Sequence, residues 1–169
     1  ALLCFLGQGI SVGSKIEIVD TAMGKRHQAG DVVKRGVRWL VDRQDKEQGW
    51  LSDPDAPYNM YSEALATMAL CEAYGISRNR ELKRPAQKAV DWLVAAQKQK
   101  DGARWGWRYI SKRRLDDALA ETKIDQVTYN TLVEEVDISV TCWVVMALKS
   151  AVLVNLDVPS DVLPGALEY

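Results

Sequence analysis

Residues 36–50 read Gly-Val-Arg-Trp-Leu-Val-Asp-Arg-Gln-Asp-Lys-Glu-Gln-Gly-Trp, and residues 89–107 read Ala-Val-Asp-Trp-Leu-Val-Ala-Ala-Gln-Lys-Gln-Lys-Asp-Gly-Ala-Arg-Trp-Gly-Trp. Trp39-Leu40-Val41 matches Trp92-Leu93-Val94, Gln44 matches Gln97, and Gly49 matches Gly102, each 53 residues on. Met68-Ala69-Leu70 returns as Met146-Ala147-Leu148, 78 residues on, and Ala166-Leu167-Glu168-Tyr169 is similar to Ala89-Val90-Asp91-Trp92, 77 residues on. Self-similarity at such spacing is the mark of a repeat architecture. The change of spacing places an insertion of about 25 residues between Trp107 and Asp137.

Each unit reads as two helices. Val33, Val37, Leu40 and Val41 stand at helical spacing after Asp31, a good N-cap, and the run stops near Gln44. Pro54 and Pro57 mark a turn-rich stretch, then an apolar helix is predicted from about Asn59 to Tyr74, ended by Gly75. An amphipathic helix follows from about Leu82 to Lys98, with Pro85 near its start, and a second apolar one from Ile138 to about Val154. Amphipathic and apolar helices thus alternate, as an outer ring alternates with an inner one. No strand is expected. The opening Ala-Leu-Leu-Cys-Phe-Leu reads as the end of an apolar helix closed by Gly7 and Gly9, so the chain is expected to be a fragment and its start carries no address.

Composition sets the outer bounds. Lys and Arg number 22 against 23 Asp and Glu, which argues against a general nucleic-acid or anionic-membrane binder. No apolar run reaches the ~18 residues that a membrane span needs. Three cysteines without a CxxC, and one histidine (His27), fit neither a disulfide framework nor a multi-histidine metal site, so no metal or cofactor is implied. The insertion, at about 108–136, lies in a segregated charge pattern. Residues 98–114 hold seven basic residues and one acid, and residues 116–137 hold seven acids and one base. Such a pattern is that of a solvated, self-complementary loop or helix, or of a basic docking surface.

Arg35-Gly36, Trp39-Leu40, Gln44 and Gly49-Trp50 resemble the QW motif of the squalene cyclase and protein prenyltransferase superfamily. Lys88-Ala89, Trp92-Leu93, Gln97, Gly102 and Trp105 resemble it a second time. The first copy departs in having no residue between Gly49 and Trp50. The resemblance spans the chain and implies an all-α, α/α-toroid array over residues 1–169, of which this length would supply about half. Glutamine offers two donors and an acceptor to unpaired backbone groups at helix ends. Trp50 and Trp105 would shield that amide, and Trp39 and Trp92 would be buried between neighbouring units.

The superfamily's chemistry is only partly represented. Class II terpenoid cyclases use an Asp-x-Asp-Asp acid, whereas Asp116-Asp117 follows Arg114-Leu115 and breaks that pattern. Glu135-x-Asp137 keeps two acids of the set, making Glu135 and Asp137 the candidate catalytic residues. Asp before an apolar helical run is equally an N-cap, and Asn59 stands at the corresponding place in the first unit. No Asp-x-Cys supports the prenyltransferase zinc site, and Cys71 and Cys142 read as small core residues. Asp53, Asp55 and Glu63 could imitate a carbohydrate-active carboxylate pair, though the prolines make the two aspartates turn residues. Tyr58, Tyr61 and Trp143 are the candidate ligand-binding residues.

Three functions are consistent with this pattern. The first is a non-catalytic repeat domain that binds an apolar, isoprenoid-like small molecule or a protein partner on its concave inner-helix face, beside the remaining repeats of a parent chain. The second is part of a terpenoid cyclase, and the third a prenyltransferase β-like subunit. The first has no missing residue to explain.

Overall fold

The computed structural model describes residues 1–53 and 59–168, and of Lys112 and Arg113 the backbone alone. The expected Pro54–Pro57 turn, Asp55 and Tyr58 lie outside the described residues. The chain is all-α in character. Its helices are α1 (Leu2–Leu6), α2 (Ala29–Arg43), α3 (Asn59–Ser77), α4 (Arg80–Ala95), α5 (Lys112–Ala120), α6 (Gln126–Glu134), α7 (Ile138–Leu153) and α8 (Val162–Leu167). No single helix among the described residues is long and apolar enough to cross a membrane.

Two helices are amphipathic and two are not, as the residue pattern predicts. α2 buries Val33, Val37 and Leu40, and α4 buries Leu82, Ala86, Ala89, Val90 and Leu93, each from one face. α3 and α7 form the centre of the core, where Met60, Ala64, Leu70, Val140, Val144, Ala147, Leu148 and Ala151 pack. The α3–α7 contact is the most extensive between any two elements. Two hydrogen bonds fix its register. The Tyr61 hydroxyl pairs with the Ser139 hydroxyl at 2.5 Å, and the Ser150 hydroxyl donates to Glu72 at 2.7 Å. Both pairs are 78 residues apart, so the two helices run parallel with like positions side by side.

The two glutamines act alike. Gln44 Nε2 donates to Gly49 O and Pro85 O, both at 2.9 Å. Gln97 Nε2 donates to Trp105 O at 2.7 Å and Val162 O at 2.9 Å. Each amide thus ties the turn after its own helix to a carbonyl of a later helix. Pro85 and Val162 are themselves 77 residues apart, the spacing at which the sequence pairs Ala89 with Ala166. The carbonyls lie within α4 and at the first residue of α8, so these are clamps between helices as much as end caps. Gly49 is required at the first of them. Its φ is +85°, and a Cβ there would stand 2.7 Å from the Lys88 carbonyl oxygen.

Several sequence expectations are corrected. Strands are present: β1 (Glu17–Asp20) pairs with β2 (Lys25–Gln28), and β3 (Gln99–Lys100) with β4 (Ala103–Arg104), both antiparallel. The second hairpin turns on Asp101-Gly102, both at positive φ (51° and 79°), the Asp-Gly signal for a two-residue turn. α2 begins at Ala29 after Gln28, which makes no side-chain cap bond, so Asp31 lies in the first turn. Asn59 is the first residue of α3, and its buried amide makes no hydrogen bond, so it does not cap. α3 runs two residues past Gly75, where a Cβ would stand 2.4 Å from Val154. The left-handed residue after α1 is Gly9, not Gly7. Trp39 is 57% exposed, stacked under the Arg43 guanidinium, and is not buried between units.

Gln44→Ala and Gln97→Ala should each lower stability by about 1–3 kcal/mol, because each leaves partly buried carbonyls short of a donor. Urea midpoints measure this, and a neighbouring exposed glutamine, Gln48→Ala, provides the comparison.

Candidate functional site

The inserted segment folds into α5 and α6, which pack chiefly on each other and bring their chain back to the start of α7. Lys98, itself buried, reaches this segment by donating to Leu132 O at 3.0 Å. The result places Arg108, Tyr109, Glu135, Asp137 and Ser139 beside Tyr61 of α3.

Asp137 is the centre of that cluster. Its Oδ1 accepts from the backbone N–H groups of Ser139 (2.9 Å) and Val140 (3.0 Å) and from the Ser139 hydroxyl. Its Oδ2 accepts from the Tyr109 hydroxyl at 2.6 Å. The Ser139 and Tyr109 hydroxyls, aided by the two N–H groups, hold the carboxyl down at about 2. Tyr109 is pushed the other way, chiefly because its hydroxyl is held by that carboxylate. A carboxylate that accepts from four donors is a cap and a hydrogen-bond acceptor; at neutral pH it holds no proton to give. Glu135, the second candidate acid, caps the C-terminus of α6 and forms an ion pair with Arg108. The Arg108 guanidinium also lies over the Tyr109 ring, 5.7 Å from its centroid, and the Tyr61 and Tyr109 rings are 6.0 Å apart.

Of the ligand-binding candidates, Tyr61 joins this cluster. Trp143 lies one turn along α7 from Ser139 and is 37% exposed. Leu65, its counterpart 78 residues earlier, is 36% exposed. α7 is apolar along most of its length but is not covered on all sides: Ile138 is 65% and Leu153 76% exposed, and Met146, Cys142 and the charged Lys149 share that face. Cys142 is therefore a surface residue, whereas Cys71 is buried and burial pushes its thiol up to about 12. The counterparts of Ile138, Cys142 and Met146 on α3 are Met60, Ala64 and Met68, all buried.

The remaining motif residues serve the scaffold. Trp50, Trp92 and Trp105 are half-buried, and Lys100 stands over the Trp105 ring at 5.0 Å. Gly102 makes the hairpin turn. Sequence reasoning missed Trp107, whose indole is fully buried and donates to Leu93 O at 2.8 Å. Its backbone N–H donates to Thr141 Oγ1 at 3.0 Å. Glu63, 78 residues before Thr141, does the same on α3. Its carboxylate is fully buried and accepts from the N–H groups of Leu51 and Ser52 at 2.8–3.0 Å and from the Ser52 hydroxyl at 3.0 Å. Desolvation pushes its pKa up to about 7 against those donors. Tyr109, Ser139 and Arg108 carried no signal of their own, since only the folded insertion brings them to Asp137.

No cluster of three or more His, Cys, Asp or Glu side chains able to hold a metal occurs among the described residues. Neither a family model, nor a curated protein, nor a solved structure matches the chain.

Two expectations follow. Asp137→Asn should keep most of the stability and Asp137→Ala should lose about 0.5–2 kcal/mol, because asparagine caps as well as aspartate. A carboxyl 13C titration should find Asp137 ionised down to about pH 2. Glu63 has the opposite sign. Its folded pKa lies above its unfolded one, so its contribution is greatest below about 4.5 and declines as pH rises towards about 7. The difference in urea midpoint between Glu63→Gln and the parent chain should therefore move in favour of the variant across that window.

Proposed function

We propose that the chain is a non-catalytic helical-repeat unit of the squalene cyclase and prenyltransferase type, binding an apolar partner on its inner-helix face. In this reading α2, α4 and α8 belong to the outer row, α3 and α7 to the inner row, and Gln44 and Gln97 are the motif glutamines. The matched glutamine bonds, 53 residues apart, and the matched α3–α7 pairs, 78 residues apart, support it.

One observation carries the binding role. The face of α3 that bears Met60, Ala64 and Met68 is buried, while the matching face of α7, bearing Ile138, Cys142 and Met146, with Lys149 and Leu153 further along, is open. An exposed apolar helix face of this kind marks an interaction surface. A helix lying parallel to α7, as α7 lies along α3, is the protein partner that fits it. Trp143 and Leu65 offer an adjoining apolar surface for a small isoprenoid-like molecule.

The non-catalytic half rests on the acids. Asp137 accepts four hydrogen bonds and is held down at about 2, and Glu63 is fully buried and bonded to the loop at Leu51–Ser52. Neither can protonate an alkene on the inner face.

Sedimentation velocity and a solvatochromic apolar dye test the reading together. The parent chain should self-associate with rising concentration and bind the dye, and Ile138→Glu with Leu153→Glu should suppress both. Trp143→Ala should reduce dye binding alone. A monomer at high concentration that ignores the dye would contradict the proposal, as would turnover of a polyprenyl substrate abolished by Asp137→Asn.

A further inference from the structure

The two amphipathic helices α2 and α4 leave a groove between them that the inner-face reading does not use. Buried Val37 and Leu82, with Val41 and Pro85, form its floor. It consists of two joined hollows of about 400 Å³ and 270 Å³ that share Val41. Lys34 and Arg38 stand at one end, and Lys46, Arg84 and Lys88 at the other.

Charge is concentrated here out of proportion to the chain. Residues 34–46 and 78–88 hold ten basic and three acidic residues, in a molecule whose net charge is −1. These cations are poorly compensated. Lys46 donates to Val41 O and Lys88 to Lys46 O, both neutral carbonyls, and Lys88 also stands near enough to Asp45 to help lower its pKa. Arg38 has only a 3.6 Å pair with Asp42, both side chains being largely exposed. Lys34 and Arg84 have no acidic partner among the described residues.

We propose that this groove binds an acidic amphipathic helix of a partner protein. Its apolar side chains would enter over Val37, Val41 and Leu82, and its carboxylates would meet Lys34, Arg38, Lys46, Arg84 and Lys88. Apolar anchors at i, i+4 and i+7 laid in a groove are the general form of such recognition, and opposite charge sets its orientation and rate of encounter. A nucleic acid fits less well. Its bases need aromatic stacking surfaces, and the lining is aliphatic. A lipid surface fits less well because it needs protruding apolar side chains, and here they are recessed below the cations.

Fluorescence anisotropy with a labelled synthetic peptide tests this. The peptide carries leucine at i, i+4 and i+7 and glutamate at its other positions, with oligo(dT) and phosphatidylserine vesicles as the other probes. Saturable peptide binding is expected, weaker at physiological than at low salt. The Lys34→Glu and Arg84→Glu double variant should weaken it about tenfold or more, since it sets like charges opposite one another. Replacing the peptide's leucines with serine should weaken it comparably, a readout independent of any variant's folding. Absence of saturable binding would overturn the proposal. So would binding indifferent to either change, or tighter binding of oligo(dT) or vesicles than of the peptide.

Discussion

The structure depends on how two side-chain amides use their hydrogens. A primary amide has two N–H donors set at a fixed angle, so a buried glutamine can hold two carbonyls that belong to different elements. Gln44 and Gln97 do this, each joining the turn that follows its own helix to a helix further along the chain. Both glutamines are buried, so the alternative to these bonds is an unpaired amide rather than a hydrated one. Arg104 reinforces the second clamp. It donates to Gln97 Oε1 at 3.2 Å and to Asp161 at 2.7 Å, drawing the start of α8 towards the β3–β4 hairpin.

With the amphipathic helices fixed in this way, α3 and α7 are left side by side and parallel. The insertion then closes over their N-terminal ends. Its consequence is electrostatic. Tyr109, in the bend that leads into α5, donates to the Asp137 carboxylate at the start of α7. Cap and acid are opposite uses of the same carboxyl group, and the donors around it select the cap. Glu63 and Thr141, in like positions, spend their oxygens on the backbone of the preceding loop. Both side chains are therefore engaged in holding loops.

Helix type and order were legible in the sequence because the apolar period of α2 and α4 and the unbroken apolarity of α3 and α7 are local properties. The glutamines were legible as a pair because of their spacing. Helix ends were less so: Asp31 and Asn59 have the right chemistry for caps, but the chain enters α2 from a hairpin that places its start at Ala29, and Asn59 lies within α3 with its amide buried. Asp101-Gly102 was a hairpin signal in plain view, overshadowed by the charge pattern around it. Trp39 shows the limit of reasoning from residue type. Its counterpart Trp92 is half-buried, whereas Trp39 stacks beneath Arg43 at the surface, and only the neighbours decide which. The Asp137 cluster lay beyond reach because Tyr61, Tyr109 and Ser139 meet only through packing between segments 28 to 78 residues apart.

The most direct test of the account is the behaviour of the Gln44 and Gln97 side-chain NH2 groups by NMR. If each amide clamps two carbonyls, both of its hydrogens are engaged. They should exchange with solvent far more slowly than those of the exposed Gln8, and should show trans-hydrogen-bond couplings to the carbonyl carbons of Gly49, Pro85, Trp105 and Val162. Exchange at the rate of Gln8, with no such coupling, would contradict the account.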